Sequence, residues 1–144
     1  MKGDLATVIL TNYNYGDYIV DAVAGQTYRR LELIVIDDCS SDYSRELIER
    51  LGKEIDKRFE RFSCLFLPEN HGPNHALNLG IPLANGEITL LLDADDCLHQ
   101  EYISETVEHL WAIRGKNSRI AFVYTDCILM DVRGKYSLKP ESDL

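Results

Sequence analysis

The sequence predicts an α/β fold in which helices cover both faces of a mostly parallel central sheet, in a three-layer α/β/α arrangement. Short apolar runs rich in β-branched residues alternate with segments whose apolar residues recur at helical spacing, as in βαβ units. The apolar runs are nearly continuous, which is typical of strands buried on both faces. No repeat or linker interrupts the alternation, so we expect one domain over residues 1–144.

The first half of the chain predicts two strands, each followed by a helix. Residues 5–11 and 31–36 are the strands, because both are short, apolar and rich in Val and Ile. A helix with an Asp cap is expected over residues 17–26. Ser41 or Asp42 begins a longer helix, since the apolar residues after it follow a 3.6-residue period.

The second half predicts the same alternation. Strands are expected at residues 62–67, 87–92 and 120–124, and the strand at 87–92 is the most apolar. Helices are expected over residues 73–83, with Pro in the first turn, and over residues 100–114.

The end of the chain predicts a small antiparallel element. Residues 128–132 and 136–138 could form a closing hairpin, joined by Arg133 and Gly134.

Charge and cysteine content exclude several classes of protein. The chain has 144 residues, with 15 Lys and Arg against 24 Asp and Glu, so its net charge is −9. This acidic balance argues against binding nucleic acid, whose phosphates select basic surfaces. The four cysteines form no zinc-binding pattern, and free thiols fit a reducing compartment. With no signal-like or membrane-spanning run in the sequence, we expect a cytoplasmic location.

Polar side chains follow three of the predicted strands, at the point where each strand ends. In open α/β sheets, ligands bind in the crevice outside the carboxyl ends of the strands. We therefore expect a binding site at this edge, formed by Thr11, Asn12, Tyr13 and Asn14 after the first strand, Asp37 and Asp38 after the second, and Asp93, Asp95 and Asp96 after the fourth.

The cluster of Asp93, Asp95 and Asp96 is the most specific of these features. Three ionised carboxylates within four residues repel one another, and a counter-cation would relieve that repulsion. Hard oxygen ligands without His or Cys suit Mg²⁺ or Mn²⁺, which bind one or two carboxylates together with substrate phosphates. The alternative is a solvated acidic turn that caps the next helix. The position directly after an apolar strand favours the metal site.

The other candidates have alternative interpretations of equal weight. Asp37 and Asp38 either begin a turn or accept hydrogen bonds from a base or a ribose. Tyr13 is either a half-buried loop residue or a stacking surface for a base. The sequence contains no GxGxxG, GxxxxGK[ST] or GxSxG motif, which excludes the corresponding nucleotide-binding and hydrolase classes.

A series of motifs in order along the chain carries a family resemblance. They are Val8-Ile-Leu-Thr-Asn-Tyr-Asn14, Gln26-Thr-Tyr28, Leu33-Ile-Val-Ile-Asp-Asp-Cys-Ser-Ser-Asp42, Asn70-His-Gly72, Ala76-Leu-Asn78-Leu-Gly80-Ile, Ala84-Asn-Gly-Glu87 and Leu92-Asp-Ala-Asp-Asp96. Together they resemble the N-terminal half of family 2 glycosyltransferases of the Rossmann-like GT-A fold. The match is close over residues 5–98 and looser to about residue 138.

The resemblance implies a role for each candidate residue. Thr11, Tyr13 and Asp38 would contact the nucleotide base, and Asp37 would help to position their loop. The Asp93-Ala-Asp95 segment corresponds to the family's DXD motif, which implies that Asp95 binds a divalent metal, with Asp93 nearby and Asp96 as a further possible ligand. The family often has Gly at the position of Cys39 and often Arg at the position of Leu77.

The resemblance also implies what the chain lacks. Inverting members use a carboxylate general base that lies well beyond the strand corresponding to residues 120–124, and Asp126 and Asp131 are too close to that strand to match it. We therefore expect the base and the acceptor-binding part beyond residue 144, so that transfer by this chain alone is doubtful. The resemblance then implies a donor-binding part that is either a truncated, inactive fragment or an abridged homologue.

These expectations lead to two functional hypotheses. The first is a metal-dependent inverting glycosyltransferase domain that binds a UDP- or GDP-sugar and serves polysaccharide biosynthesis. A saccharide or lipid-linked acceptor is then implied, with the protein peripheral at the inner membrane face. The second is a non-catalytic nucleotide-sugar binding module that acts with a partner. A DxD-type phosphohydrolase is disfavoured, because no Thr or Val stands two residues after Asp95.

Overall fold

A computed structural model describes residues 5–23, 25–54, 58–119, 121–125, 127–130 and 136–138. The chain divides into two compact units, Met1–Val107 and Glu108–Leu144.

The described residues of the first unit alternate between strands and helices. The strands are β1 (Ala6–Asn12), β2 (Leu31–Asp37), β3 (Arg61–Phe66) and β4 (Ile88–Asp93). The helices are α1 (Ile19–Val23), α2 (Ser44–Glu54), α3 (Pro73–Gly80) and α4 (Tyr102–Arg114), which continues into the second unit. Short 3₁₀ turns at Gly16–Tyr18 and Ile81–Leu83 precede α1 and follow α3.

The four strands form one parallel sheet in the order β3-β2-β1-β4. The chain moves from β1 outward through β2 to β3, and then crosses back to pair β4 with the free side of β1. Because parallel crossovers are right-handed, α1 and α2 lie on one face of the sheet and α3 on the other. The direction of the strand order reverses at β1, which is where open α/β sheets form their ligand crevice.

The two central strands form the core of this unit. Every residue of β1 and β2 is buried, on both faces of the sheet. On one face, Ile9, Ile34 and Ile36 pack against Ala76 of α3. Gly80 permits this close packing, because a Cβ there would come within 2.6 Å of the Ile36 side chain. The three-layer α/β arrangement predicted from the sequence is confirmed.

Two elements of the first unit differ from prediction. The helix expected over residues 17–26 is a 3₁₀ turn followed by five helical residues, Ile19–Val23. β4 is only half buried, with Leu91 54% exposed, although its apolar sequence predicts burial on both faces. β4 lies at the edge of the described sheet, so its side chains have fewer neighbours than those of β1 and β2.

In the second unit, the predicted hairpin is confirmed and the predicted fifth strand is wrong. β5 (Ile128–Met130) pairs antiparallel with β6 (Tyr136–Leu138), and the expected turn at Arg133 and Gly134 lies outside the described residues. Residues 121–125 form no strand. Phe122 and Tyr124 are 75% and 80% exposed, so their β propensity lacks a packed surface to stabilise a strand.

Candidate nucleotide-binding site

A cleft of about 340 Å³ lies at the carboxyl edge of the sheet, where the strand order reverses. The ends of β1, β2 and β4 and the turn after β3 supply its walls. Its lining residues are Thr11, Asn12, Tyr13, Tyr15, Asp38, Asn70, Gly72, Pro73, Asp93, Ala94 and Asp95. Three of these are carboxylates, and no Lys or Arg is among them. The cleft as described is therefore strongly acidic.

The ends of β1 and β4 are joined side by side. Thr11 and Asp93 are partners in the parallel register, and Thr11 Oγ1 donates a hydrogen bond of 2.6 Å to Asp93 Oδ1. The backbone N–H of Ala94 also donates to Thr11 O at 2.9 Å. One oxygen of Asp93 is thus held at the sheet edge, and the side chain remains exposed to the cleft.

Asp37 and Asp38 have different positions although they are adjacent. Asp37 is buried and is absent from the cleft wall; Asn12 Nδ2 donates to its Oδ1 at 2.7 Å, and the Ser40 N–H to its Oδ2 at 3.0 Å. Its carboxylate therefore fixes the loop after β2 to β1. Asp38 reaches the cleft, although it is only 3% exposed.

Asp38 connects β2 to the turn that follows β3. Its Oδ1 accepts the backbone N–H of His71 at 3.0 Å, and its Oδ2 accepts that of Gly72 at 2.7 Å. Gly72 has φ of +86°, a conformation that favours glycine. This turn forms the β3-side wall of the cleft.

Two tyrosines of the loop after β1 line the cleft. Tyr13 and Tyr15 are each nearly half exposed, so their rings offer flat surfaces for stacking. Between them, Asn14 adopts a left-handed conformation with φ of 62°. Its Oδ1 accepts the backbone N–H groups of Ser41 and Asp42, at 2.8 and 3.3 Å, which ties this loop to the one after β2.

The acidic cluster after β4 is only partly assembled. Asp93 and Asp95 line the cleft, whereas Asp96 does not, and the Asp96 N–H donates to Asp93 O at 3.0 Å. Burial raises the pKa of Asp96, and the charges of Asp95 and Asp93 raise it further. Within the described ranges, no three His, Cys, Asp or Glu side chains converge closely enough to hold a metal ion.

The chemistry of the cleft nevertheless fits a divalent cation bound with a phosphate ligand. Mg²⁺ and Mn²⁺ sites of this kind use one or two protein carboxylates and complete their coordination with substrate phosphates and water. Asp95 and Asp93 are two exposed carboxylates on one wall, with no basic side chain on the lining to neutralise them.

Sequence reasoning missed several residues that shape the site. Tyr15 and Asn70 line the cleft, and both stand in irregular turns that follow no periodic pattern. Gln26 does not line the cleft but contacts the loop after the acidic cluster. Its Nε2 donates to His99 O at 2.8 Å and to Leu98 O at 3.3 Å. The Gln26-Thr-Tyr28 motif could have indicated Gln26, but not what it contacts.

Comparison with known proteins agrees with this architecture. Residues 7–114 match the model of glycosyl transferase family 2. The putative teichuronic acid biosynthesis glycosyltransferase TuaG of Bacillus subtilis is 32% identical over 145 residues, covering 96% of this chain and 54% of TuaG.

Two solved structures share the fold. The mannosyltransferase PcManGT of Pyrobaculum calidifontis, in complex with GDP-Man and Mn²⁺, has 28% identity and a TM-score of 0.60, covering 67% of this chain and 29% of that chain. Residues 1–349 of TarS of S. aureus, in complex with UDP, have 25% identity and a TM-score of 0.64, covering 79% and 33%.

The matches cover only part of each relative but most of this chain. The chain spans from about a third to about half of the length of the first curated relatives that it matches. None of its described helices is both long and apolar enough to cross a membrane. The family match covers most of the chain and coincides with the cleft-bearing sheet, and the chain belongs to glycosyl transferase family 2.

Proposed function

We propose that this chain binds a nucleotide-diphosphate sugar together with Mn²⁺ or Mg²⁺, and that it is the donor-binding part of an inverting glycosyltransferase. The observation that carries the proposal is the cleft lined by Asp38, Asp93 and Asp95 at the point where the strand order reverses. A nucleoside diphosphate is an anion and would be repelled by this cleft alone. A divalent cation bound with the donor removes the repulsion.

The order of the strands supports an arrangement of the donor along the sheet edge. Neighbouring strands are about 4.8 Å apart, so the ends of β4 and β3 are separated by about 14 Å across three strand intervals. An extended nucleoside diphosphate suits such a span. The diphosphate lies at the β4 end, beside Asp95, and the base lies towards β2 and β3.

Five of the lining residues, and Asp37 behind them, have roles in this arrangement. Tyr13 stacks on the base, while Thr11 and Asp38 lie beside it at the ends of β1 and β2. Asp93 accepts a hydrogen bond from the ribose with the oxygen that Thr11 leaves free. Asp95 is the principal metal ligand. Asp37 contributes indirectly, because its carboxylate fixes the loop that carries Asp38.

The described residues account for how the donor is held and activated, but not for how the acceptor is deprotonated. Asp95 and Asp93 would hold the divalent cation, which would supply Lewis-acid stabilisation of the negative charge on the departing nucleoside diphosphate. The chain's own contribution is to hold the base and ribose, so that the sugar faces the open side of the cleft. No described residue is assigned as the general base of an inverting reaction.

The relatives suggest the setting of the reaction. TuaG is named for teichuronic acid biosynthesis, and PcManGT and TarS are complexed with GDP-Man and UDP. We therefore propose a UDP- or GDP-sugar donor, and a saccharide or lipid-linked acceptor in polysaccharide biosynthesis. The proposed location is cytoplasmic, at the inner face of the membrane.

Calorimetric titration with UDP- and GDP-sugars, with and without Mn²⁺, tests the proposal. At least one donor should bind in the presence of Mn²⁺, and at least tenfold more weakly without it. Asp95→Asn should remove the Mn²⁺-dependent part, whereas Glu101→Gln, which alters an exposed carboxylate before α4, should leave it unchanged. Equal affinity with and without Mn²⁺ would contradict the metal assignment. Absence of binding by every donor would contradict the whole proposal.

A further inference from the structure

Two histidines lie side by side where the chain enters α3. His71 precedes the helix, and His75 lies in its first turn, four residues later. The centres of the two imidazole rings are 4.8 Å apart, with an angle of 55° between the ring planes. Both residues are exposed, and neither belongs to the lining of the acidic cleft. The pair is therefore open to an ion from solvent at a place separate from the proposed donor site.

The separation of the rings is close to that of two imidazoles that share a metal ion. Imidazole nitrogens bind Zn²⁺ at about 2.0–2.1 Å in a tetrahedral arrangement, which places two ring centres about 5 Å apart. Two histidines four residues apart also occur in helical zinc motifs. Neither the His71 nor the His75 ring makes a hydrogen bond to another described residue, so ring nitrogens of both are available as ligands.

The backbone on each side of the pair is held by hydrogen bonds. The His71 N–H donates to the buried carboxylate of Asp38 at 3.0 Å, and the His75 N–H donates to Gly72 O at 3.1 Å. The two side chains thus begin from positions that are already close together. Less conformational freedom is lost when an ion binds between groups that the fold has already brought together.

The charge around the pair favours a cation. Glu69 Oε2 lies 3.8 Å from His71 Nε2. A carboxylate beside a metal-binding histidine accepts the ring N–H that the metal does not occupy, which orients the ring and strengthens its bond to the metal. The sequence also contains no Lys or Arg between Arg61 and Arg114, so this stretch has no basic side chain that would repel the ion.

We propose that His71 and His75 form a two-histidine site for Zn²⁺ or a similar borderline divalent ion, with water completing the coordination. Glu69 orients His71 and is not itself a ligand. Imidazole suits such ions, whereas Mg²⁺ and Mn²⁺ prefer the oxygen ligands that the cleft offers. The inference goes beyond the proposed function and does not depend on it, because it assigns a second kind of cation to a different place on the chain.

Nuclear magnetic resonance of the histidine rings during Zn²⁺ titration tests the site. The Cε1–H signals of His71 and His75 should shift together and reach their final positions at about one equivalent, whereas the signal of His109, an exposed histidine on α4, should not follow them. The free cysteines are first blocked with N-ethylmaleimide, because thiolates also bind Zn²⁺.

Calorimetry on single variants shows whether the two rings act together. His71→Ala and His75→Ala should each weaken Zn²⁺ binding at least tenfold, because either change leaves only one imidazole, and His109→Ala should leave it unchanged. His71→Ala retains the backbone N–H that donates to Asp38, and His75→Ala places the best helix former in α3. Thermal unfolding without Zn²⁺ confirms that the variants are folded.

Three results would overturn this inference. The first is a titration in which Zn²⁺ shifts neither His71 nor His75. The second is a pair of variants that each lose half of the bound Zn²⁺ without a change in affinity, since the two histidines would then bind ions independently. The third is loss of binding in Asp95→Asn but not in the histidine variants, which would place the ion in the acidic cleft. Failure of donor binding alone would contradict the proposed function and leave this site intact.

Discussion

The carboxylate of Asp38 holds the backbone N–H of Gly72 at 2.7 Å, across 34 residues of sequence. The contact joins the end of β2 to the turn after β3, and it brings a residue with φ of +86° to the wall of the cleft. Asp38 is thus a structural acceptor as well as a group beside the proposed base site. Its removal is expected to affect stability and binding together.

Asp38→Asn tests this double role. The amide has one acceptor oxygen in place of two, and its NH₂ group would face the N–H of His71 or of Gly72. We expect a loss of about 1–3 kcal/mol in the free energy of unfolding, the usual cost of leaving a buried polar group unpaired. Nucleotide affinity should fall at least tenfold. Urea denaturation and calorimetry measure the two effects.

A control for Asp38→Asn is available on the next helix. Glu46→Gln removes one exposed carboxylate from the first turn of α2 and should change the free energy of unfolding by less than about 0.5 kcal/mol, as surface changes usually do. If Asp38→Asn is as stable as this control, the Asp38 carboxylate does not hold the turn.

Cys39 has a backbone conformation that suits another residue. Its φ is 63°, in the left-handed region that costs about 1–2 kcal/mol for residues other than glycine. Cys39→Gly should therefore raise the free energy of unfolding by about 0.5–1 kcal/mol, after allowance for the greater freedom of glycine in the unfolded chain. Loss of the Cys39 Sγ contact to Pro68 O, at 3.4 Å, offsets little of this gain.

A second substitution at position 39 should change the free energy of unfolding in the opposite direction. Cys39→Val introduces a β-branched residue, which is strongly disfavoured at positive φ, and should lower the free energy of unfolding by about 1 kcal/mol or more. Chemical denaturation of both variants measures the difference. If the two variants have equal stability, the left-handed conformation at Cys39 is not a source of strain.

The strand pattern predicted the shared location of Thr11, Asp38 and Asp93 correctly, since parallel strands place their carboxyl ends at one edge. It could not decide between Asp37 and Asp38. Successive side chains of a strand point to opposite faces, and which one reaches the cleft depends on how the strand ends. The structure turns Asp37 inward to Asn12 and directs Asp38 to the cleft.

The sequence did not predict the role of an irregular turn, the absence of a strand at residues 121–125, or the exposure of an edge strand. Asn70 lies in a turn whose shape is set by a carboxylate 32 positions earlier, and local sequence carries no signal of that contact. Residues 121–125 have the composition of a strand, but strand formation depends on pairing and packing, which composition does not specify. β4 was expected to be buried on both faces because its sequence is apolar, but it lies at the edge of the described sheet, where its side chains have fewer neighbours.

Glu32 lies near the amino end of β2, away from the cleft at the carboxyl ends of the strands, and it makes the stability of the fold depend on pH. Burial opposes its ionisation, but hydrogen bonds from Thr7 and Asn85 and the charge of Arg61 outweigh this, so the pKa of Glu32 lies below its ordinary value of 4.5. Thr7 Oγ1 donates at 2.6 Å, and the N–H and Nδ2 of Asn85 each at 2.7 Å.

The sign of the effect follows from the direction of this pKa. The folded state holds Glu32 ionised more strongly than the unfolded state does, so its contribution to stability is fully present above pH 4.5. The contribution is lost as the pH falls through the lower, folded-state pKa. Glu32→Gln should therefore destabilise the protein at pH 7 by about 1–3 kcal/mol, because a buried hydrogen-bonded network loses its charge.

Urea denaturation of the wild type and of Glu32→Gln at pH 7 and pH 3 measures the contribution of Glu32 to the free energy of unfolding. The difference between the two proteins should be smaller at pH 3 than at pH 7, because the contribution of the Glu32 charge to stability decreases as the pH falls below 4.5. Glu60→Gln, which alters an exposed carboxylate paired with Arg30, serves as the control and should leave stability nearly unchanged at pH 7. A difference that is independent of pH would contradict the assignment of the charge.

Gln26 supports the acidic loop from a distance, and its removal is the most direct test of how that loop is held. Its side chain is 4% exposed; its Nε2 donates to His99 O, and its Oε1 accepts the N–H of Ile103 at 3.3 Å. Gln26→Ala removes the acceptor of the buried Ile103 N–H and the donor to the loop carbonyls, so we expect a loss of about 2–3 kcal/mol in the free energy of unfolding.

The same substitution should also weaken Mn²⁺-dependent donor binding, because the loop that begins at Asp95 loses its attachment near Leu98. Hydrogen exchange at the Ile103 amide should become faster in Gln26→Ala, which locates the opening in this loop. Gln100→Ala, a change of an exposed side chain in the same loop, should alter neither exchange nor binding. If Gln26→Ala lowers stability but leaves exchange at Ile103 and Mn²⁺-dependent affinity at wild-type values, then Gln26 stabilises the fold without positioning the acidic loop.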